Sequence, residues 1–221
     1  MRVLITLLLA TAVSLGNPAL AADPDQPHPH QGIVTAYDGA PPMPELSAED
    51  LEKLAKGKPV KKQIEMETGG RGIAIQDIHA TPEVVWSRIV RYDKYTEWVD
   101  GVFECEEYEN TGDNIKVRFK IGGMGVRVEY FITHTYLPAE GYMTWTLDYT
   151  RESDLDDSVG FWRVVPIEDK AGWTRVYYSV DVRLKGWVPK FIETMLAKNG
   201  LTKATAWVKR ESELSAGTAE P

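Results

Sequence analysis

From Ile115 to Ile121 the chain reads Ile-Lys-Val-Arg-Phe-Lys-Ile, four apolar residues in strict alternation with three cations. Successive side chains of an extended strand point to opposite faces, so this pattern describes a strand buried on one side and wet on the other. A helix cannot use it, because a period of two scatters the apolar residues around its circumference. A one-sided strand needs neighbours of the same kind, and the sequence supplies them. After Gly122-Gly123-Met124-Gly125 the apolar residues Val126, Val128, Tyr130 and Ile132 resume the alternation. Met143, Trp145, Leu147 and Tyr149 share a face, as do Gly160, Trp162 and Val164, and then Val176, Tyr178, Val180 and Val182. The breaks at 138–141, 154–157 and 169–172 are short and built from Pro, Gly and Asp among other residues. About six strands with such tight connections are expected to pair as antiparallel neighbours.

Flanking segments complete an α+β pattern. Residues 60–66 and 71–78 read as strands around Gly69-Gly70, where a turn or bulge is expected. In the second of them Ile73, Ile75 and Asp77 share one face, and Ala74, Gln76 and Ile78 the other. A short helix opens at Ser47, which caps it ahead of Glu49 and Asp50, with Leu46, Leu51 and Leu54 as its apolar side. Thr81-Pro82-Glu83 opens another, since Thr caps, Pro suits the first helical position and Glu complements the dipole. The aromatic run from Tyr92 to Trp98 predicts a further short helix against the sheet. Residues 188–214 predict a long amphipathic helix with Val188, Phe191, Ile192, Met195, Leu196, Leu201, Ala204 and Val208 on its buried stripe.

The ends carry different information. Residues 1–21 have the form of a secretory leader, with Arg2, an apolar stretch from Val3 to Val13, and the small-x-small site Ala19-Leu20-Ala21. Export to the periplasm or outside the cell is therefore expected. Residues 22–44 are dense in Pro, His, Asp and Gly, and predict a flexible segment in which His28 and His30 lack the further ligands of a metal site. The carboxylates Asp154, Asp156 and Asp157 read as a solvated loop, and residues 215–221 as a disordered tail. Arg2 is the only charge in the leader, so the remainder holds 24 Lys and Arg against 33 Asp and Glu. That balance repels nucleic acid and anionic membrane surfaces. Cys105 is the single cysteine and can form no intramolecular disulfide. With 43% hydrophobic residues, a domain of this length folds on its core alone.

Three stretches carry a family resemblance: Ala80-Thr81-Pro82-Glu83-Val84-Val85-Trp86 with the aromatic run after it, Gly160-Phe161-Trp162-Arg163-Val164-Val165-Pro166, and Gly172-Trp173-Thr174-Arg175-Val176. With the element order, they resemble the START-like (helix-grip) superfamily, in particular its polyketide cyclase/dehydrase and lipid-transport branch and the coenzyme-Q-binding START-domain proteins. The resemblance spans residues 60–214. It implies a curved, six- to seven-stranded antiparallel sheet wrapped around the long C-terminal helix, with a cavity between them for a hydrophobic small molecule or lipid.

On strand and helix phase, that cavity is expected to be lined by Phe119, Tyr130, Trp145, Leu147, Trp162, Tyr178, Ile192, Met195 and Leu196, with Trp98 and Met124 at its mouth. The same stripes are also what a filled core would show. Met124, apolar on a glycine loop, reads either as a lid or as a plain hairpin turn. Motifs for nucleotide, metal-hydrolase or serine-hydrolase chemistry are absent from the sequence, so neither a cofactor nor a metal is expected. His134, in phase with Tyr130 and Ile132, is the one candidate for acid or base chemistry. Three readings follow: a carrier or sensor of a hydrophobic ligand, a cyclase or dehydratase in which His134 or a tyrosine moves a proton, and an envelope interaction module with a filled core. No stretch after the leader predicts membrane insertion.

Overall fold

The computed structural model describes residues 22–66, 69–123, 126–185 and 200–218. Its centre is one eight-stranded sheet, with every neighbouring pair antiparallel. The strands are β1 (Val60–Met66), β2 (Gly69–Ile78), β3 (Val102–Asn110), β4 (Asn114–Gly123), β5 (Val126–Leu137), β6 (Tyr142–Leu147), β7 (Leu155–Pro166) and β8 (Thr174–Leu184). They lie in the order β1-β2-β8-β7-β6-β5-β4-β3. The six-strand meander is as the alternation requires. Two further strands join it, so the count exceeds the six to seven expected: β2 pairs with β8 from Gly69 opposite Arg183 to Ile78 opposite Thr174, and β1 pairs with β2.

The strand of alternating residues shows why the pattern is so specific. In β4, Ile115, Val117, Phe119 and Ile121 are buried, whereas Lys116, Arg118 and Lys120 face outward. Those cations meet carboxylates across both neighbouring strands. Arg118 Nε donates to Glu129 at 2.7 Å and Nη1 to Glu106 at 2.8 Å, and Lys120 Nζ lies 3.1 Å from Glu104. β3, the edge strand, carries Glu104, Glu106, Glu107 and Glu109 and breaks register twice, at Val102/Glu104 and at Glu107/Glu109.

Helices α1 (Ala48–Ala55), α2 (Pro82–Ile89), α3 (Tyr95–Trp98, after a tight turn at Tyr92–Lys94) and α4 (Gly200–Ala216) complete the described chain. Ser47 and Asp50 form the reciprocal capping box that starts α1. The terminal helix packs against β2 and α2. Its approach depends on Gly72, since a Cβ there would stand 2.2 Å from Leu201 Cδ1. At its far end, Glu213 Oε1 accepts from His79 N at 3.0 Å, and the Thr218 hydroxyl donates to the His79 carbonyl. Residues 215–218 are thus docked rather than loose, because these polar groups replace the apolar anchors the sequence lacks there.

The sheet buries both faces. The main core lies on the concave side and includes Ile78, Val85, Trp86, Ile89, Val117 and Val208. A smaller cluster of Leu54, Val60, Ile75, Phe161 and Tyr177 lies on the other face beneath α1. The bidentate pair of Arg175 with Asp77, at 2.6 and 2.9 Å, joins β8 to β2, and Asp77 is only 2% exposed.

Residues 22–44 do not form a free tail. They run along β7, and the acidic loop ahead of it supplies their anchors. Asp23 and Glu152 exchange backbone hydrogen bonds at 2.9 and 3.0 Å. The Ile33 and Val34 amides both donate to Asp157 Oδ2 at 2.7 Å. Tyr37 stacks edge-on against Phe161 at 5.1 Å, and Arg163 Nη1 donates to the Pro41 carbonyl at 3.0 Å. Asp154 and Asp157 are 5% and 0% exposed, so this is no solvated loop: the carboxylates accept from backbone N–H groups that a segment poor in apolar residues presents.

Candidate ligand cavity

Period-two alternation aims every second side chain of β4 to β8 into the concave side, where α3 and α4 close over it. A cavity of about 400 Å³ remains. Its wall is aromatic: Phe119, Tyr130, Trp145, Trp162 and Tyr178 come from the sheet, Tyr92 and Tyr95 from the turn and short helix, and Trp207 from α4. The rings brace one another. Phe119 stacks on Tyr130 at 5.3 Å, Trp162 packs on Tyr178 at 4.5 Å, and Tyr95 meets Trp207 at 5.0 Å. Gly160 makes room for this arrangement, because a Cβ there would lie 2.1 Å from the Trp145 ring and 2.4 Å from the Ser179 carbonyl.

Apart from Asp100 and Lys203, the polar side chains that line the cavity among the described residues are uncharged. His134 Nδ1 lies 3.1 Å from the Ile115 carbonyl, so Nδ1 carries the proton and Nε2 the lone pair. Burial holds its pKa down to about 4, against the hydrogen bond to Ile115, which favours the charged form. The imidazole is therefore neutral near pH 7. Burial also raises the Tyr130 and Tyr178 hydroxyls above the ordinary phenol value. Neither has a hydrogen-bond partner among the described residues, so both can serve a ligand. Ser158 Oγ accepts from Trp145 Nε1 at 3.4 Å. At the mouth, Asp100 and Lys203 pair at 2.8 Å in solvent. Beside the wall, Cys105 is half-buried, and burial pushes its thiol up to about 12, which leaves it unreactive.

Of the residues expected on the wall, Phe119, Tyr130, Trp145, Trp162 and Tyr178 stand there. Leu147 does not: it is buried in the core, and the cavity lining takes Met143 and Trp145 from β6 but not Leu147. Trp98 stacks on Trp207 and takes the Arg88 guanidinium over its ring at 5.7 Å, away from the lining. Met124, Ile192, Met195 and Leu196 lie outside the described residues. Tyr92, Tyr95 and Trp207 were not expected as lining. Trp207 was within reach of helical spacing, three positions after Ala204.

A second convergence of functional groups lies on the N-terminal segment. His28, His30 and Asp156 bring potential donor atoms within 4.8 Å of one another, which supplies the third group and the fixed geometry that the sequence does not reveal. Their ring nitrogens are engaged as a clasp. His28 Nδ1 accepts from Ser153 N at 3.3 Å, and Nε2 donates to the Asp156 carbonyl at 2.9 Å. His30 Nδ1 accepts from Gly32 N at 3.0 Å, and Nε2 meets Asp156 Oδ1 at 3.2 Å.

A curved, open antiparallel sheet with a C-terminal helix packed on it is the helix-grip fold. Solved structures share it. A START superfamily protein from Mycobacterium smegmatis aligns with a TM-score of 0.52 at 18% identity, over 71% of this chain and 98% of its own. A STAR-related lipid transfer protein from Xanthomonas axonopodis gives 0.56 at 12%, over 70% and 93%. TTHA0849 from Thermus thermophilus gives 0.55 at 18%, over 66% and 98%. No curated protein matches the sequence. Residues 74–213 match the family described as polyketide cyclase / dehydrase and lipid transport, and the chain belongs to that family.

Proposed function

We propose that the protein binds one uncharged, largely apolar small molecule or lipid in the concave cavity and carries or senses it outside the cytoplasm. The observation that carries this reading is the cavity itself: about 400 Å³ bounded by eight aromatic rings and by neutral polar groups, with the Asp100–Lys203 pair as the charged part of its lining. That volume falls within the range of small-molecule sites. Among the described residues the charged side chains that line the cavity are the exposed, mutually paired Asp100 and Lys203, so a charged head group deeper inside would lose its hydration without an opposite charge beside it. Ligand hydroxyls would instead donate to His134 Nε2 or meet the Tyr130 and Tyr178 hydroxyls. The family and fold support hydrophobic-ligand binding, and no helix among the described residues is long and apolar enough to cross a membrane. The leader-like residues 1–21 support the location.

Native mass spectrometry of protein purified from its own host tests the proposal. The expected result is a small-molecule adduct that organic solvent removes. The neutral fluorophore N-phenyl-1-naphthylamine is expected to bind saturably and to quench cavity tryptophans, with affinity at least ~10-fold weaker in Ala204→Trp, where α4 fills the space. A well-folded protein with no adduct and no saturable binding would sink the idea. In a cyclase or dehydratase, His134 or a tyrosine would move the proton. An imidazole with a pKa of about 4 is a weak base, which favours its use as a hydrogen-bond acceptor.

A further inference from the structure

We infer that the chain is cut between Ala21 and Ala22 and that the α-ammonium so created binds Asp154, fastening the N-terminal segment along β7. Hydrolysis by a leader peptidase adds one water across that peptide bond, leaving a carboxylate on Ala21 and an ammonium on Ala22. Two independent observations meet at this bond. In the sequence, Ala19-Leu20-Ala21 is the small-x-small pattern at the end of the apolar stretch. In the fold, the Ala22 nitrogen lies 2.9 Å from Asp154 Oδ1.

Asp154 has the environment of a carboxylate awaiting a cation. It is 5% exposed, and Oδ2 already accepts from Glu129 N at 2.7 Å. Burial raises its pKa despite the two backbone donors. No Lys or Arg pairs with it among the described residues; Lys185, whose charge favours its ionised form, is taken by Glu152, and Glu129 adds a like charge. Turning the Ala22 amide into an ammonium puts a full positive charge at hydrogen-bond distance from a poorly solvated negative one. The reciprocal Asp23–Glu152 hydrogen bonds hold that nitrogen in place, and the His28 clasp and the Asp157 acceptors follow it along the segment.

This inference rests on the export reading for the cut, but not for the ion pair, and the experiment separates them. Intact mass of the full chain after expression in an exporting host is expected to give Ala22 as the first residue. A leader left in place, or a cut elsewhere, overturns the processing step. Independently, a self-removing fusion yields protein beginning at Ala22, and a second yields the same protein with Gly-Ser ahead of it. The Ala22 form is expected to melt at least ~3 °C higher and to resist proteolysis within residues 22–44. The advantage should hold below about pH 8, the ordinary α-amino range, as long as Asp154 stays ionised; it should fade above that range as the amine deprotonates and again in acid as the Asp154 carboxyl takes up a proton. It should also vanish when both forms carry Asp154→Asn. Should that variant fail to fold, N-acetylation of the Ala22 form, which keeps an N–H and removes the charge, must lower the melting point as the extension does. Equal melting of the free, extended and acetylated forms overturns the ion pair.

Discussion

The two faces of the sheet are held by different forces. On the concave side, rings and aliphatic side chains pack around a space they do not fill, and the buried polar groups that line it among the described residues are neutral. On the opposite side, α1 and residues 22–44 cover a small apolar cluster; directed contacts hold this face, with the Asp77–Arg175 fork tying β2 to β8 and the His28 clasp and carboxylates accepting backbone N–H groups fixing residues 22–44. The first arrangement tolerates empty volume because dispersion and apolar burial act over many contacts at once. The second depends on a few contacts, each of which fails if one partner is missing.

That contrast can be broken at three points. Arg175→Ala leaves Asp77 buried without its fork and is expected to cost about 3 kcal/mol in urea denaturation. A loss below about 1 kcal/mol would show that the convex face does not rely on such pairs. Acid probes the concave face. His134 is buried neutral with a depressed pKa, so its contribution is complete above pH 6.5 and is lost as pH falls through about 4. The change is about 3 kcal/mol on going to acid, and His134→Phe should remove that part of the pH slope. An unchanged slope would mean that the imidazole can be solvated in place. Smallest is Gly160→Ala, where the added methyl must displace the Trp145 ring or the β8 backbone. A destabilisation of about 2 kcal/mol with altered near-ultraviolet circular dichroism is expected. Intact tryptophan signals would show that the ring wall is softer than drawn.

The sheet was legible because its evidence is periodic. Ile115 to Ile121, and the aromatic alternations that follow, fix both strand identity and facing, so five of the cavity's rings could be named. Leu147 has the same phase as Trp145, yet phase cannot say where along a strand the space closes. Tyr92 and Tyr95 sit in elements too short to define a face. The segment carrying His28 was misread for a physical reason: its docking depends on main-chain donors meeting Asp154 and Asp157, and backbone amides leave no residue-specific mark. A run of acidic residues looks the same whether it is solvated or accepting. The pairing of β2 with β8 spans about a hundred positions and has no local signal, which is why the strand count fell short.

An open sheet has two ends, and β3 is one of them. Its row of glutamates already neutralises the cations of β4, while its two irregularities spoil the straight, evenly spaced line of amides and carbonyls that a visiting strand would need. A second copy offering the same edge would bring carboxylates against carboxylates. A greasy hollow on one side thus sits next to a rim where β3 gives an added strand poor footing.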